Sequence, residues 1–122
     1  MEQHIPWGAG APIPHTPFRE VIAPALVDDH LVMLAVDMPV GEHVPEHTHD
    51  DEDQIMVVID GTVGAVVDGE HHALGAGSVL VMPRGLPHAL WNAGDAPAKV
   101  LELYTPPGME QRFRTAGLRP FA

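Results

Sequence analysis

The chain has 122 residues, 45% of them hydrophobic, so its length and composition suit one folded domain rather than several. Its formal net charge of −11 disfavours nucleic acids and anionic membrane surfaces as partners. The absence of cysteine excludes disulfides, cysteine-ligated zinc, iron–sulfur clusters and thiol nucleophiles. Because the sequence shows no secretory leader pattern and no apolar stretch of membrane-spanning length, we expect a cytoplasmic protein.

Prolines and glycines divide the chain into short apolar segments. Residues 1–17 carry four prolines and predict an extended N-terminal arm. Beyond the arm, the apolar runs are too short for ordinary helices and are typical of β-strands. The predicted strands are, in chain order, Phe18–Ile22, Leu31–Met38, Gln54–Asp60, Thr62–Val67, Glu70–Leu74, Ser78–Met82, His88–Asn92 and Ala98–Tyr104. One short helix, Met109–Ala116, is predicted within a C-terminal segment of residues 109–122.

Short strands joined by tight turns predict an all-β fold. Asp60-Gly61 and Asp68-Gly69 each lie between apolar strands, and glycine accepts the positive φ that hairpin turns need, so we expect a meander of antiparallel strands. About eight short strands in one domain must protect their edges, which favours a jelly-roll β-barrel over residues 18–108. The acidic run at residues 50–53 is expected to be a solvated loop.

Three of the nine histidines have a spacing typical of metal ligands. His47 and His49 flank one residue, and side chains at i and i+2 of an extended segment point the same way. His88 follows a proline- and glycine-containing turn at the start of another predicted strand. Three neutral imidazoles that converge in a barrel suit a divalent transition metal such as zinc, iron, nickel, copper or manganese.

The residues around these histidines resemble the two signature motifs of the cupin family. The first motif, G-x5-H-x-H-x3-4-E-x6-G, is matched in spacing by Gly41, His47, His49, Gln54 and Gly61. The second, G-x5-P-x-G-x2-H-x3-N, is matched by Gly77, Pro83, Gly85, His88 and Asn92. The fifteen residues between the motifs resemble the spacer of small single-domain bacterial cupins. The resemblance implies a cupin-type barrel with a short C-terminal helix, and one divalent metal held by His47, His49, Gln54 and His88.

Gln54 stands where the cupin motif usually has glutamate. A glutamine ligand contributes a neutral carbonyl oxygen, so it neither offsets the charge of the metal nor acts as a base. The substitution therefore favours Lewis-acid chemistry over oxidation, although a quercetinase-like dioxygenase stays an alternative. Glu52 is a second candidate for the fourth ligand, but it falls one residue short of the shortest spacer in the motif.

Glu102 is the candidate catalytic acid–base. It alternates with Val100 and Tyr104 on the last predicted strand, so one face carries a carboxyl group among apolar residues. If that face lines the cavity, burial favours the protonated form and suits general acid–base work; if it faces solvent, Glu102 is a surface residue. The sequence leaves both orientations open.

The stretch from Glu102 to Pro106 resembles the strand ending of small pectin-degradation cupins that open unsaturated uronates. Those proteins carry an arginine where this chain has Gly108, although Arg112 or Arg114 could reach in from the predicted helix. An apolar cavity wall instead brings the resemblance closer to cupin-type polyketide cyclases. The predicted substrate-pocket residues are Met33, Met56, Val58, Leu90 and Tyr104.

These features predict a metal-binding cupin that acts as a lyase, isomerase or cyclase on a small organic substrate. A divalent zinc, nickel, manganese or iron ion is the expected cofactor. A dioxygenase and a non-enzymatic cupin that holds a metal or a small molecule are the alternatives. The resemblance also implies a homodimer. Asn92 is expected to satisfy backbone groups at the end of its strand.

Overall fold

A computed structural model describes residues 4–117 of the chain. These residues form ten strands, one short 3-10 helix at Pro24–Val27 and one α-helix. The strands are β1 (Ala11–Pro12), β2 (Phe18–Ile22), β3 (Val32–Met38), β4 (His43–His47), β5 (Asp53–Asp60), β6 (Val63–Val67), β7 (Glu70–Leu74), β8 (Val79–Met82), β9 (His88–Asn92) and β10 (Ala98–Thr105), and the α-helix is α1 (Met109–Ala116). No helix within the described range is long and apolar enough to cross a membrane.

The strands form two antiparallel sheets that make the predicted jelly-roll barrel. One sheet has six strands in the order β1-β2-β3-β10-β5-β8, and the other has four in the order β4-β9-β6-β7. Neighbours in each sheet are mostly not neighbours in sequence, so long connections pass between the sheets. Apolar side chains from the facing surfaces of both sheets fill the core.

Strand β4 was not predicted. Its sequence is HVPEH, which has no apolar run, and Pro45 lacks the N–H that a central strand needs. The strand is tolerated because β4 is an edge strand with only β9 as a neighbour. Strand β1 also lies outside the predicted set, within the proline-rich arm, where it pairs with β2. Residues 1–3 of the predicted arm and 118–122 of the predicted C-terminal segment lie outside the described residues.

The turn at Asp60-Gly61 corrects the predicted meander. Strands β5 and β6 lie in different sheets, so this turn carries the chain from one sheet to the other and forms no hairpin. Gly61 has a φ of 93°, and a Cβ atom at this position would lie 2.9 Å from the Cα of Ala98. The tight approach to the start of β10 is the physical reason for glycine here.

The turn at Asp68-Gly69 is the hairpin that the sequence predicts. Val67 of β6 pairs with Glu70 of β7, so the loop has two residues. Asp68 has a φ of 49° and Gly69 a φ of 81°, and two successive positive values are typical of a hairpin turn whose twist matches the strands.

Helix α1 packs against the six-stranded sheet through its apolar side. Met109 and Phe113 are almost completely buried, and the ring of Phe113 lies 4.4 Å from that of Phe18 on β2, measured between centroids. The polar side of the same helix carries Arg112 and Arg114, and each forms an ion pair with a residue of the barrel. The helix is therefore fixed to the barrel by both apolar and charged contacts.

Candidate metal centre

Three histidines converge at one end of the four-stranded sheet. His47 ends β4, His88 begins β9, and the two residues are directly opposite each other in the ladder. His49 follows in the loop after β4, and its Nε2 atom lies 3.2 Å from that of His47. One ring nitrogen from each of the three histidines lies within 4.8 Å of the others. The predicted spacing therefore does bring the three imidazoles together.

Backbone hydrogen bonds hold the two loops of the site against each other. The N–H of Gly85 donates to the carbonyl of His49 at 2.7 Å, and the N–H of Arg84 donates to the Asp53 carboxylate at 2.9 Å. The turn before His88 is thereby tied to the loop that follows His47. This explains how residues some forty positions apart are held in one cluster.

The Nδ1 atom of each histidine is occupied by an oxygen acceptor. That of His47 lies 2.8 Å from the Pro45 carbonyl, and that of His88 lies 3.1 Å from the Leu86 carbonyl. A carbonyl only accepts, so both Nδ1 atoms carry the proton and each Nε2 keeps its lone pair. His49 Nδ1 lies 3.2 Å from the carboxylate of Glu52, which has the same effect. An imidazole protonated at Nδ1 carries its lone pair on Nε2, and that is the form in which histidine ligates a metal through Nε2.

Two buried polar atoms at the site have lone pairs that an electrophile would fit. The Nε2 atom of His88 and the Oε1 atom of Gln54 have no hydrogen-bond partner among residues 4–117. Leaving such atoms unsatisfied in a protein interior is costly, and native proteins rarely do so without a functional reason. Both are lone-pair donors, so a divalent cation would satisfy them together. Three imidazole nitrogens and one amide oxygen fit a transition metal.

Burial keeps the three imidazoles neutral near pH 7. Desolvation, with a smaller contribution from the neighbouring His47, lowers the pKa of His49 and of His88 to about 4. Desolvation also lowers the pKa of His47, against a hydrogen bond to the Pro45 carbonyl that raises it. Metal ligation requires the neutral imidazole, so the site is prepared to bind without first losing protons.

Glu102 faces the interior beside Gln54. Its side chain is only 5% exposed and accepts a hydrogen bond from Gln54 Nε2 at 2.6 Å. The inward orientation follows from the alternation of β10, in which Val100, Glu102 and Tyr104 are all buried. Desolvation raises the pKa of Glu102 to about 8, and it raises that of Tyr104 well above its usual value. Of the two orientations that the sequence left open, the structure has the inward one.

A narrow cavity of about 30 Å³ lies against this cluster. Its walls include His47, Gln54 and Glu102, together with Leu90 and Tyr104 from the predicted substrate pocket. Its other lining residues are Pro17, Phe18, Val36, Met38, Glu42, Val44 and Val100. The enclosed space has room for about one or two water molecules, so it can admit only the reacting end of a larger molecule.

The other predicted pocket residues lie elsewhere. Met56 and Val58 point inward from β5, but they belong to the packed core rather than to the wall of this cavity. The predicted position of Met33 is corrected, because it lies on the opposite face of β3 from the inward-facing Leu34. There it lines a separate surface cavity with Trp7. Alternation along β3 explains this, since one step along a strand reverses the face.

Glu52, which the sequence offered as a second candidate for the fourth ligand, lies beside the histidine cluster with different contacts. It lies within the acidic run that was expected to be solvated, yet its side chain is 1% exposed. Both of its oxygens accept hydrogen bonds from Arg112, at 2.8 and 2.6 Å, and one also contacts His49. Because both of its oxygens have these contacts, Glu52 is placed to hold His49 rather than to take the place of Gln54. The sequence did not indicate its contact with Arg112.

The arginines of α1 are held outside the cavity. Arg112 is paired with Glu52, and Arg114 donates to Glu20 on β2 at 2.6 Å. Neither lines the cavity beside the histidines. Asn92 has the predicted structural role: its amide donates to the carbonyls of Met38, Pro39 and Ala96.

Comparison with known families identifies the class of the protein. Residues 34–104 match the family model described as Cupin domain, so the chain belongs to the cupin family. It is 32% identical over 71 residues to tetracenomycin polyketide synthase protein TcmJ of Streptomyces glaucescens, a match that covers 58% of this chain and 48% of that protein. It is 35% identical over 78 residues to germin-like protein 8-14 of Oryza sativa subsp. japonica, covering 59% and 37% of the two chains.

The barrel also resembles solved structures. The structure of KdgF from Halomonas sp. superposes with a TM-score of 0.69 at 23% sequence identity, and the match covers 77% of this chain and 81% of that one. At this level of identity the likeness shows a shared fold. The matches span about half or less of the length of the curated relatives.

Proposed function

We propose that this cupin binds one divalent transition metal ion through His47, His49, Gln54 and His88, and that it catalyses a non-redox lyase, isomerase or cyclase reaction on a small organic substrate. The observation that carries the proposal is the convergence of three imidazoles beside the buried, unpartnered Oε1 of Gln54, with a carboxyl group in the same cavity wall.

The neutral ligand set favours non-redox chemistry. When bound, a divalent ion would act as a Lewis acid that polarises a carbonyl or enolate oxygen. Gln54 adds no negative charge, so the full positive charge of the ion stays available. Zinc, nickel, manganese and iron all accept such a set, and zinc or nickel agrees best with a reaction that transfers no electrons.

Glu102 is the residue that moves the proton. Its carboxyl group lies in the cavity wall and is held by the Gln54 amide at 2.6 Å, so it is fixed beside the ligand set. Gln54 thus has two functions: its Nε2 orients Glu102, while its Oε1 is left as a ligand. Because burial raises its pKa to about 8, Glu102 mostly holds a proton near pH 7 that it can give to a substrate oxygen, and its ionised form can take a proton from a substrate carbon.

The cavity favours a neutral, mainly apolar substrate. Among residues 4–117, its acidic lining residues are Glu42 and Glu102, and the remaining walls are largely aliphatic and aromatic. A substrate with its own carboxylate would meet two acidic side chains there and, within the described part of the chain, no arginine or lysine. The similarity to a polyketide synthase protein supports an aromatic or poly-β-carbonyl substrate, and thus a cyclisation.

The test is turnover of model poly-β-ketones with and without oxygen, by wild type and by Glu102→Gln. This variant keeps a hydrogen-bond acceptor for Gln54 but cannot exchange the proton. We expect cyclised or isomerised product without oxygen, a loss of turnover of about 10²- to 10⁴-fold in the variant, and unchanged metal content. Turnover that requires oxygen would overturn the proposal in favour of a dioxygenase. Binding without turnover in both proteins would indicate a non-enzymatic cupin.

A further inference from the structure

A continuous series of polar contacts runs from the C-terminal helix to one of the histidines. Arg112 on α1 donates two hydrogen bonds to the Glu52 carboxylate, from Nη1 at 2.8 Å and from Nη2 at 2.6 Å. The same carboxylate lies 3.2 Å from Nδ1 of His49. The three residues come from a helix and from a loop 60 positions earlier in sequence.

The contacts among Arg112, Glu52 and His49 have a defined geometry. Glu52 is almost completely buried, while Arg112 reaches it from a partly exposed position on the helix. A buried carboxylate is costly unless its oxygens are satisfied, and here the guanidinium satisfies both in the bidentate arrangement that arginine favours. The carboxylate in turn lies 3.2 Å from the Nδ1 atom of His49, close enough to restrict the orientation of the ring.

We propose that Glu52 and Arg112 are positioning residues that hold His49 with its Nε2 toward the metal, and that they couple the docking of α1 to metal affinity. The inference rests on the proposed metal site, because it assigns a role toward the same ligand. By reciprocal linkage, a metal that favours one orientation of His49 also favours the docked helix.

A second arginine on the same helix provides a matched control. Arg114 forms an ion pair with Glu20 at 2.6 Å, one of similar length to that between Arg112 and Glu52. Glu20 lies on β2 and lies outside the histidine cluster and the cavity beside it. If α1 matters only as a structural cover, loss of either ion pair has the same effect on the metal site.

The experiment is a competition titration with Co²⁺ and Zn²⁺ of the full chain and of Glu52→Gln, Arg112→Gln, Arg112→Lys and Arg114→Gln. We expect affinity to fall about 10- to 100-fold in Glu52→Gln and by a smaller factor in Arg112→Gln, as for other residues that orient metal ligands. Arg112→Lys keeps one charged donor and should recover part of the loss. Arg114→Gln should match wild type.

A spectroscopic readout separates positioning from folding. The visible absorption of bound Co²⁺ reports ligand geometry, and it should change in Glu52→Gln and Arg112→Gln but not in Arg114→Gln. In wild type, Zn²⁺ should slow amide hydrogen exchange of residues 109–116, and this protection should be lost in Arg112→Gln.

The outcomes distinguish this inference from the site on which it rests. A wild-type chain that binds neither ion refutes the metal site itself. Tight binding by wild type with the same affinity and Co²⁺ spectrum in all variants refutes the positioning role alone. An equal loss in the Arg112→Gln and Arg114→Gln variants also refutes it, since that result indicates a general effect of helix docking. If Arg112→Gln fails to fold, the comparison of Arg112→Lys with Arg114→Gln decides.

Discussion

The hydrogen bond from Gln54 Nε2 to Glu102 fixes which atom of the side-chain amide faces which way. Its Nε2 is held by Glu102, which leaves Oε1 buried without a partner among the described residues. A glutamate at this position would face the Glu102 carboxylate at the same short distance. The departure from the usual cupin motif therefore suits the neighbouring Glu102 on β10, and the two residues form one hydrogen-bonded pair.

The hydrogen bond between Gln54 and Glu102 predicts how substitutions at these two positions affect stability. Above the Glu102 pKa of about 8, Gln54→Glu removes the donor to Glu102 and places two buried carboxylates in contact, so the free energy of unfolding without metal should fall by about 1–3 kcal/mol. The reciprocal double variant, Gln54→Glu with Glu102→Gln, restores one donor and one acceptor. Chemical denaturation should show recovery of most of the loss. If the double variant is as unstable as the sum of its single variants, the two side chains are not coupled.

The site residues that the sequence predicted correctly are those with a characteristic spacing within a short motif. His47, His49 and His88 were identified by two motifs, and the structure brings them together. Glu52 and Arg112 were named from the sequence in other roles, but their contact with each other was not predicted, because it depends on a helix that packs beside the loop only in the folded chain. An acidic residue in an acidic run gives no sequence signal that it is buried.

At the level of strands and turns, most strand positions could be predicted from the short apolar runs and from the glycines between them. The strands with apolar runs were predicted to within about one residue, while β4 was missed because its sequence is polar and contains Pro45. The pairing of strands was the harder part. A glycine turn looks the same whether it closes a hairpin, as at Gly69, or changes sheets, as at Gly61.

Two glycine substitutions test this difference between turns. Both positions have a positive φ, which costs alanine about 1–2 kcal/mol. At Gly61 a Cβ also meets the backbone of Ala98 at 2.9 Å, whereas at Gly69 there is nothing within 4 Å. Gly61→Ala should therefore lower the free energy of unfolding by about 2–4 kcal/mol, and Gly69→Ala by about 1–2 kcal/mol, measured by denaturant titration. Equal losses would contradict a close approach between the sheet-changing turn and β10.

At the level of the whole molecule, an exposed apolar surface contrasts with the net charge of −11. Val79 and Val81 on edge strand β8 are 59% and 55% exposed, and Ile59 on β5 is 44% exposed. Val79 and Val81 pair with Val57 and Ile55 in the ladder, so the outer face of this sheet edge is continuous and apolar. Such a surface is typical of an interface between protein chains.

We propose that a second copy of the chain covers this face, in agreement with the homodimer that the family resemblance implies. Light scattering after size-exclusion chromatography should give twice the chain mass for wild type. The double variant Val79→Lys with Val81→Lys should give one chain mass, while Ala73→Lys, exposed on β7 of the other sheet, should stay dimeric. A wild-type monomer at micromolar concentration would refute the proposal.

The central claim is that the histidine cluster and Gln54 hold one metal ion. Elemental analysis of protein purified without an affinity tag tests it most directly, with His47→Ala, His88→Ala and Gln54→Ala compared with wild type. His43→Ala is the matched control, because His43 is exposed on the same strand as His47. We predict close to one equivalent of metal in wild type and in the control, and loss of metal in the other three. A wild-type chain without metal that takes up none on addition of zinc, nickel, manganese or iron would contradict the account.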